Sequence, residues 1–229
     1  MEKRLHTAIH GVVFDVDGTL IDSNDANAHA WVHAMKEQGH DVPFERVRPL
    51  IGMGGDKILP VTLHIEKNSE EGKRISERRK AIFKEQYLPH LKPFPQALTM
   101  LHLICRQGLK MAIATSAEPD ELDELLKLID EHAKDLFENA TTSKDVPSSK
   151  PDDDIIKVAV DRIKIPLEHL LMVGDTAYDI EAAGKAGIRT VALRSGGWSD
   201  EDLKDALVIY NDPADIVAHF STSPFVQGI

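Results

Sequence analysis

Two aspartates, Asp15 and Asp17, follow directly on the apolar run Val12, Val13 and Phe14, and Gly18 follows them. A short β-branched and aromatic run has the character of a buried parallel strand, and residues two apart in an extended chain point to the same side. The spacing therefore predicts two carboxylates at a strand's carboxyl end, just before Gly18 releases the chain into a turn. Such a pair is electrostatically costly unless a cation, or a proton shared with the chemistry, offsets it. Three further segments offer matching chemistry. Residues 112–116 read A-I-A-T-S, and a hydroxyl at a strand end beside a helix N-terminus offers donors to an anion without adding a full charge. Lys150 lies in S-S-K-P-D, where Pro151 is expected to open a helix and fix the lysine before an anion-friendly terminus. Residues 172–179 read M-V-G-D-T-A-Y-D, with Asp175 ending an apolar run and Asp179 early in the next helix, so that both can face one ion. Each segment alone also fits a structural role: a Thr-Ser turn, a solvated lysine, an N-cap aspartate, an acid at a positive helix end.

Taken together, the four segments resemble the motifs of the haloacid dehalogenase (HAD) superfamily of phosphotransferases, in the family's order and at the ends of successive strands. D-V-D-G-T-L at residues 15–20 matches the nucleophile motif, and the segments around Thr115, Lys150 and Asp175 match the second, third and fourth. One departure stands out. Where the family often continues Lys-Pro-Asp-Pro, this chain carries Asp152, Asp153 and Asp154, which read as first-turn helix charges rather than metal ligands. The resemblance implies Mg2+ held by the Asp15 carboxylate, the Asp17 backbone carbonyl and the Asp175 carboxylate, with Asp179 a direct or water-linked ligand. It implies Asp15 as nucleophile and Asp17 as general acid and base, the latter free to swing because its side chain is not needed for the metal. Thr115, Ser116 and Lys150 would hold the phosphoryl oxygens, with Gly18 beside them in the substrate-contacting turn.

These residues need elements to position them. Helical and strand patterns alternate from Pro95 onward, the signature of a parallel sheet covered on both faces, whose ligands bind at the carboxyl ends of the strands. Strands are expected at 109–114, 140–142, 170–173, 190–193 and 207–210, and helices at 96–107, 119–130, 152–163 and 177–186. Between residues 21 and 93 no convincing strand is found. A helix from Ser23 carries Ala28, Trp31, Val32 and Met35 on one stripe and ends at Gly39. Further helices are expected at 43–50, at 56–65 with Pro60 interrupting, and at 68–88 with Asn68 and Glu71 as a capping box. The fold class is therefore α/β: a Rossmann-like, doubly wound parallel sheet core (1–22 and 93–229) with an inserted α-helical cap (23–92).

At 229 residues, 42% hydrophobic and 28% charged, the chain can bury a full core and a small insert. A net charge of -11 argues against a nucleic-acid partner and favours small ligands. Residues 1–10 contain no continuous apolar run, so neither a leader nor a membrane span is expected. The single cysteine, Cys105, cannot form an internal disulfide and reads as a buried small hydrophobe, consistent with a cytoplasmic setting. His29 and His33 have helical metal-pair spacing, but Ala30 stands where a zinc protease motif requires glutamate, so packing or solvation is expected. Lys73, Arg74, Arg78, Arg79 and Lys80 lie among glutamates and read as a solvated helix face. The loop R-P-L-I-G-M-G-G-D-K, residues 48–57, could approach a ligand through its three glycines, with Arg48 and Lys57 reading a second anionic group.

The leading reading is Mg2+-dependent hydrolysis of a small phosphorylated metabolite through an aspartyl-phosphate, resembling the phosphoglycolate and sugar-phosphate phosphatases. A mutase resembling β-phosphoglucomutase would use the same two aspartates. Dehalogenation fits less well, because those relatives lack an acid matching Asp17; phosphonate hydrolysis fits less well, because that branch replaces this aspartate and uses a cap lysine. A non-catalytic metabolite-binding or scaffold protein is the reading of another class, and the joint presence of Asp15, Asp17, Lys150 and Asp175 opposes it.

Overall fold

Residues 7–229 are described by a computed structural model; residues 1–6, and with them part of the N-terminal stretch read above for a leader, lie outside the described residues. Six parallel strands form one sheet in the order β3-β2-β1-β4-β5-β6: β1 (Gly11–Phe14), β2 (Lys110–Ala114), β3 (Asn139–Thr141), β4 (Leu170–Gly174), β5 (Arg189–Leu193) and β6 (Val208–Tyr210). Alternation along β1 explains why both faces are covered. Val12 and Phe14 enter one apolar cluster with Ile113 and Val173, whereas Val13 enters a second with Ala112 and Met172. In register, Val13 stands opposite Ala112 on one side and Met172 on the other. The chain builds outward from β1 to β2 and β3, then returns to build β4 on its opposite side. That reversal between β1 and β4 is the crevice where open α/β sheets bind ligands.

The helices of the core are α5 (Ala97–Arg106), α6 (Pro119–Ile129), α7 (Asp154–Ile163), α8 (Ala177–Lys185), α9 (Pro213–Ala218) and α10 (Pro224–Gln227). Between β1 and α5 lie only helical elements and loops: α1 (Asn24–Glu37), α2 (Phe44–Val47), α3 (Gly55–Leu63) and α4 (Glu70–Ile82), the last continuing as a π turn over Phe83–Tyr87. The two connections to this insertion run side by side, Asp22 N donating to the Lys92 carbonyl and Phe94 N to that of Leu20. On α1, Ala28, Trp31 and Met35 are buried, and Gly39 adopts the left-handed conformation (φ 90°) that lets the chain leave the helix.

Several local expectations are corrected. Pro60 lies inside α3 rather than interrupting it, and α7 begins at Asp154, so Pro151 belongs to the preceding turn. The cap of α4 is Ser69, whose Oγ accepts from Gly72 N at 3.0 Å; Glu71 turns instead to His40 Nε2 at 2.7 Å. Cys105 is exposed, because the buried stripe of α5 runs through Ala97, Met100, Leu101 and Ile104. No helix among the described residues is long and apolar enough to cross a membrane.

Candidate active site

The turn after β1 and the turn after β4 meet at the sheet's reversal point, and their acids meet with them. Asp15, Asp175 and Asp179 are buried, with one carboxylate oxygen of each within 4.8 Å of the others. A lysine from a third segment is aimed between two of them: Lys150 Nζ lies 2.5 Å from Asp15 Oδ1 and 2.8 Å from Asp179 Oδ1, and its side chain is wholly buried. Burial alone would lower the basicity of this ammonium, but Asp15 and Asp179 outweigh it and hold the lysine protonated. Burial pushes the Asp15 carboxyl well above its ordinary range, opposed by Lys150 and reinforced by Asp179 and Asp175. For Asp175, burial and then Asp179 raise the pKa to about 7, against hydrogen bonds from Asn24 and Thr19.

Asp175 and Asp179 are fixed by donors on the other side. Thr19 Oγ1 donates to Asp175 Oδ1 and Asn24 Nδ2 to Asp175 Oδ2, each at 2.9 Å. Asp179 completes a capping box with Thr176 at the start of α8, its Oδ2 accepting from the Thr176 hydroxyl at 2.7 Å and the Thr176 amide at 3.0 Å. The structural role of Asp179 and its place in the acid cluster therefore coexist: one oxygen caps the helix and the other meets Lys150. Glycine is required on both sides of Asp175, because a Cβ at Gly18 would fall 2.1 Å from its Oδ2 and one at Gly196 2.0 Å from it. Gly18 in addition has φ 76°. Its part is thus to admit Asp175, with its carbonyl held by Ser195 Oγ at 2.7 Å, and it does not line the cavity above.

Three carboxylates face one ammonium here, so that ionising all three would leave two negative charges unbalanced in a buried site, which is why burial drives Asp15 and Asp175 toward their neutral forms in the absence of a cation. A hard divalent cation with oxygen ligands would offset that excess, so the donor set fits Mg2+. Above the acids, core and insertion border a partly open cavity of about 80 Å3, reached by Asp15, Asp17, Asn27, Trp31, Ser116 and Glu121 among others. Ser116 faces it and donates to the Gly52 carbonyl at 3.2 Å; Thr115 is buried beneath, its hydroxyl accepting from Ala117 N at 3.1 Å. Asp17 is anchored through one of its two oxygens. Ser23 Oγ and Asn27 Nδ2 both donate to its Oδ1, at 2.5 and 2.9 Å.

The cation candidates divide differently from expectation. Arg48 donates to Asp25 at 2.6 Å and to the Gly196 carbonyl at 2.8 Å, and Lys57 pairs with Asp152 at 2.6 Å; neither lines the cavity. Both clasp the insertion to the core, while the glycine loop between them, Ile51 to Gly55, does face the site. Asp152 is correspondingly an ion-pair partner, not a first-turn helix charge. Arg79 and Lys80, expected in solvent, line the cavity instead. Arg79 holds Glu121 at 2.7 Å, touches Asn27 Oδ1, and lies over the Phe83 ring at 4.9 Å. Burial raises the Glu121 carboxyl pKa against the pull of Arg79. A signal for this was present, since Ile75, Arg79 and Ile82 share one helical stripe and both isoleucines are buried.

The family model for haloacid dehalogenase-like hydrolases matches residues 12–193, which includes every acid and lysine of this cluster. The chain belongs to the HAD-like hydrolases. Among its HAD relatives, a protein of Caldanaerobacter subterraneus provisionally named a pyrophosphatase is 31% identical over 193 residues, covering 83% of each chain. A phosphoglycolate phosphatase of Aliivibrio fischeri is 28% identical over 204 residues, covering 85% of this chain and 88% of that one. The crystal structure of a hydrolase from Pseudomonas syringae superposes with a TM-score of 0.85 at 30% identity, covering 93% of this chain and 98% of that one. Membership makes the protein a HAD-like hydrolase with the family's parallel-sheet core.

Proposed function

We propose that this HAD-like hydrolase cleaves a small phosphomonoester by Mg2+-assisted transfer of the phosphoryl group to Asp15, with residues 23–92 as the cap over a core of 1–22 and 93–229. The observation that carries this reading is the pairing, on one cavity, of a Lys150-bound carboxylate at Asp15 with a second carboxylate, Asp17, held ready beside it. An Asp15 oxygen attacks phosphorus while the P–O bond to the leaving group breaks, and the leaving oxygen takes a proton from Asp17. Water then attacks the aspartyl-phosphate, giving its proton to Asp17, and releases phosphate and the Asp15 carboxylate. Ser23 and Asn27 both engage Oδ1 of Asp17, which leaves Oδ2 to carry the transferred proton. Asp15, Asp175 and Asp179, with the Asp17 carbonyl, would hold Mg2+, which supplies charge neutralisation between the nucleophile and the phosphate. Lys150 steadies Asp15, and Ser116, which lines the cavity, turns its hydroxyl from the Gly52 carbonyl to a phosphoryl oxygen.

The direct test is phosphate release from a panel of phosphorylated metabolites and an aryl phosphate, in Mg2+ and in EDTA. Turnover on at least one member in Mg2+, abolished by EDTA, is the expected result; equal rates in both would remove the metal from the reading. Asp17→Asn should keep Mg2+ binding and lower kcat by about 10²–10⁴-fold, the range of one general acid–base contribution. An unchanged pH–rate profile in that variant would assign the proton transfer elsewhere.

A further inference from the structure

Of the three cations lining the cavity, Lys67, Arg79 and Lys80, only Arg79 is joined, among the described residues, to the hydrogen bonds of Asp17. The connection runs through side chains on four segments. Asn27, on α1, donates through Nδ2 to Asp17 Oδ1 at 2.9 Å and accepts at its own Oδ1 from Arg79 Nη2. Arg79, on α4, turns its fork to Glu121 on α6, Nη1 donating to Oε2 at 2.7 Å and Nη2 to Oε1 at 3.2 Å. Asp17 and Glu121 belong to the core, Asn27 and Arg79 to the insertion, so the core holds both ends of this chain of bonds. Asn27 and Glu121 are 4% and 7% exposed, and the Arg79 guanidinium carbon lies 4.9 Å from the centre of the Phe83 ring. Buried in this way, none of the three exchanges its partner for water without cost.

The effect on Asp17 follows from the two-sided chemistry of a carboxamide. Asn27 can turn either its NH2 or its carbonyl toward Asp17, and the two ends are nearly the same size. Arg79 selects between them, because a guanidinium only donates and must therefore face the carbonyl. With that orientation set, the Asn27 NH2 and the Ser23 hydroxyl both donate to Asp17 Oδ1, which confines the acidic proton to Oδ2. An Asn27 free to turn would offer its carbonyl instead, stabilise a proton on Oδ1, and direct it at a side chain rather than at the leaving oxygen. Glu121 prevents this by gripping both arms of the Arg79 fork.

We propose that Glu121 is a positioning residue for the general acid, acting through Arg79 and Asn27 to hold the transferable proton of Asp17 on Oδ2. This rests on the phosphatase reading above, in which Asp17 protonates the leaving oxygen. Both Glu121 oxygens are taken by Arg79, so the residue acts on the reaction at one remove.

The test uses the leaving group to separate proton donation from other steps. p-Nitrophenol departs readily as its anion, whereas benzyl alcohol must be protonated as the P–O bond breaks. The readout is the ratio of kcat/KM for benzyl phosphate to that for p-nitrophenyl phosphate, for the full-length enzyme in Mg2+; kcat/KM covers steps only as far as release of the alcohol. Asp17→Asn should lower that ratio by about 10²-fold or more, as loss of a general acid does. Glu121→Gln should lower it roughly tenfold, the scale of one hydrogen bond, and no further when added to Asp17→Asn. Because Glu121→Gln leaves the Arg79 charge buried and unpaired, the neutral pair Glu121→Gln with Arg79→Met is measured beside it, with circular dichroism and melting curves for each. The pair should lower the ratio as the single change does. A ratio that holds in both, while Asp17→Asn lowers it, overturns the proposal and leaves the phosphatase reading intact. A further fall when Glu121→Gln joins Asp17→Asn also overturns it, since Glu121 would then act on something other than the acid. If Asp17→Asn itself leaves the ratio unchanged, the acid assignment falls and this proposal with it. A wild type that releases phosphate from neither compound overturns the phosphatase reading and this one together.

Discussion

Asp15→Asn is expected to lower phosphate release by at least about 10⁴-fold, the scale on which enzymes lose rate when a covalent nucleophile is removed. The substitution keeps the side chain's shape and removes its charge, so the fold should survive: Lys150 retains Asp179 at 2.8 Å, and a carboxyl that burial already drives toward the neutral form is replaced by a neutral group. Acid-quenched enzyme should accordingly carry labelled phosphate in the wild type and none in the variant. Turnover within tenfold of wild type would mean that water attacks phosphorus directly and that Asp15 serves another purpose.

Lys150→Met carries the second large effect, because it acts on stability and chemistry at once. The ammonium is wholly buried between Asp15 and Asp179, and removing one partner of a buried ion pair costs about 3–5 kcal/mol through the charge left behind. For a chain of this size that corresponds to a melting temperature lower by roughly 6–20 °C in metal-free buffer. Adding Asp179→Asn to Lys150→Met should recover part of the lost stability by relieving one uncompensated carboxylate, without recovering turnover. If the single variant melts with the wild type, the two contacts contribute nothing net, and the lysine's placement would need a purely catalytic reason.

The strands were legible because each is a short apolar run bounded by turn residues, and their acid-bearing ends were legible only jointly, since each acid alone also suits a cap and Asp179 does cap α8. Legibility declined where a local rule had two adjacent candidates. Asn68 and Ser69 both suit an N-cap, and the choice fell to Ser69 because the Glu66 carbonyl engages its hydroxyl and amide together. It failed for Arg79, where surrounding glutamates suggested solvent although Ile75 and Ile82 mark the same stripe as buried. Neither Glu121 nor Asn27 gave a local sign, since each acquires its role from a partner 42 or 52 residues away.

Sequence alone determined the chemistry available to this protein: which side chains are acids, which lysine precedes a proline, and where apolar runs end. These are properties of single segments, and four such segments in order sufficed for the family and the sheet. Tertiary structure decided which charges are spent and which are free. Arg48, Lys57, Arg79, Lys80 and Lys67 are alike as sequence, all cations in one helical insertion, and they differ only in what the core places opposite them. Charge pairing acts over a few ångströms in space and is indifferent to separation along the chain, so the division between cations that clasp the insertion to the core and cations that line the cavity exists only once the two have been brought face to face.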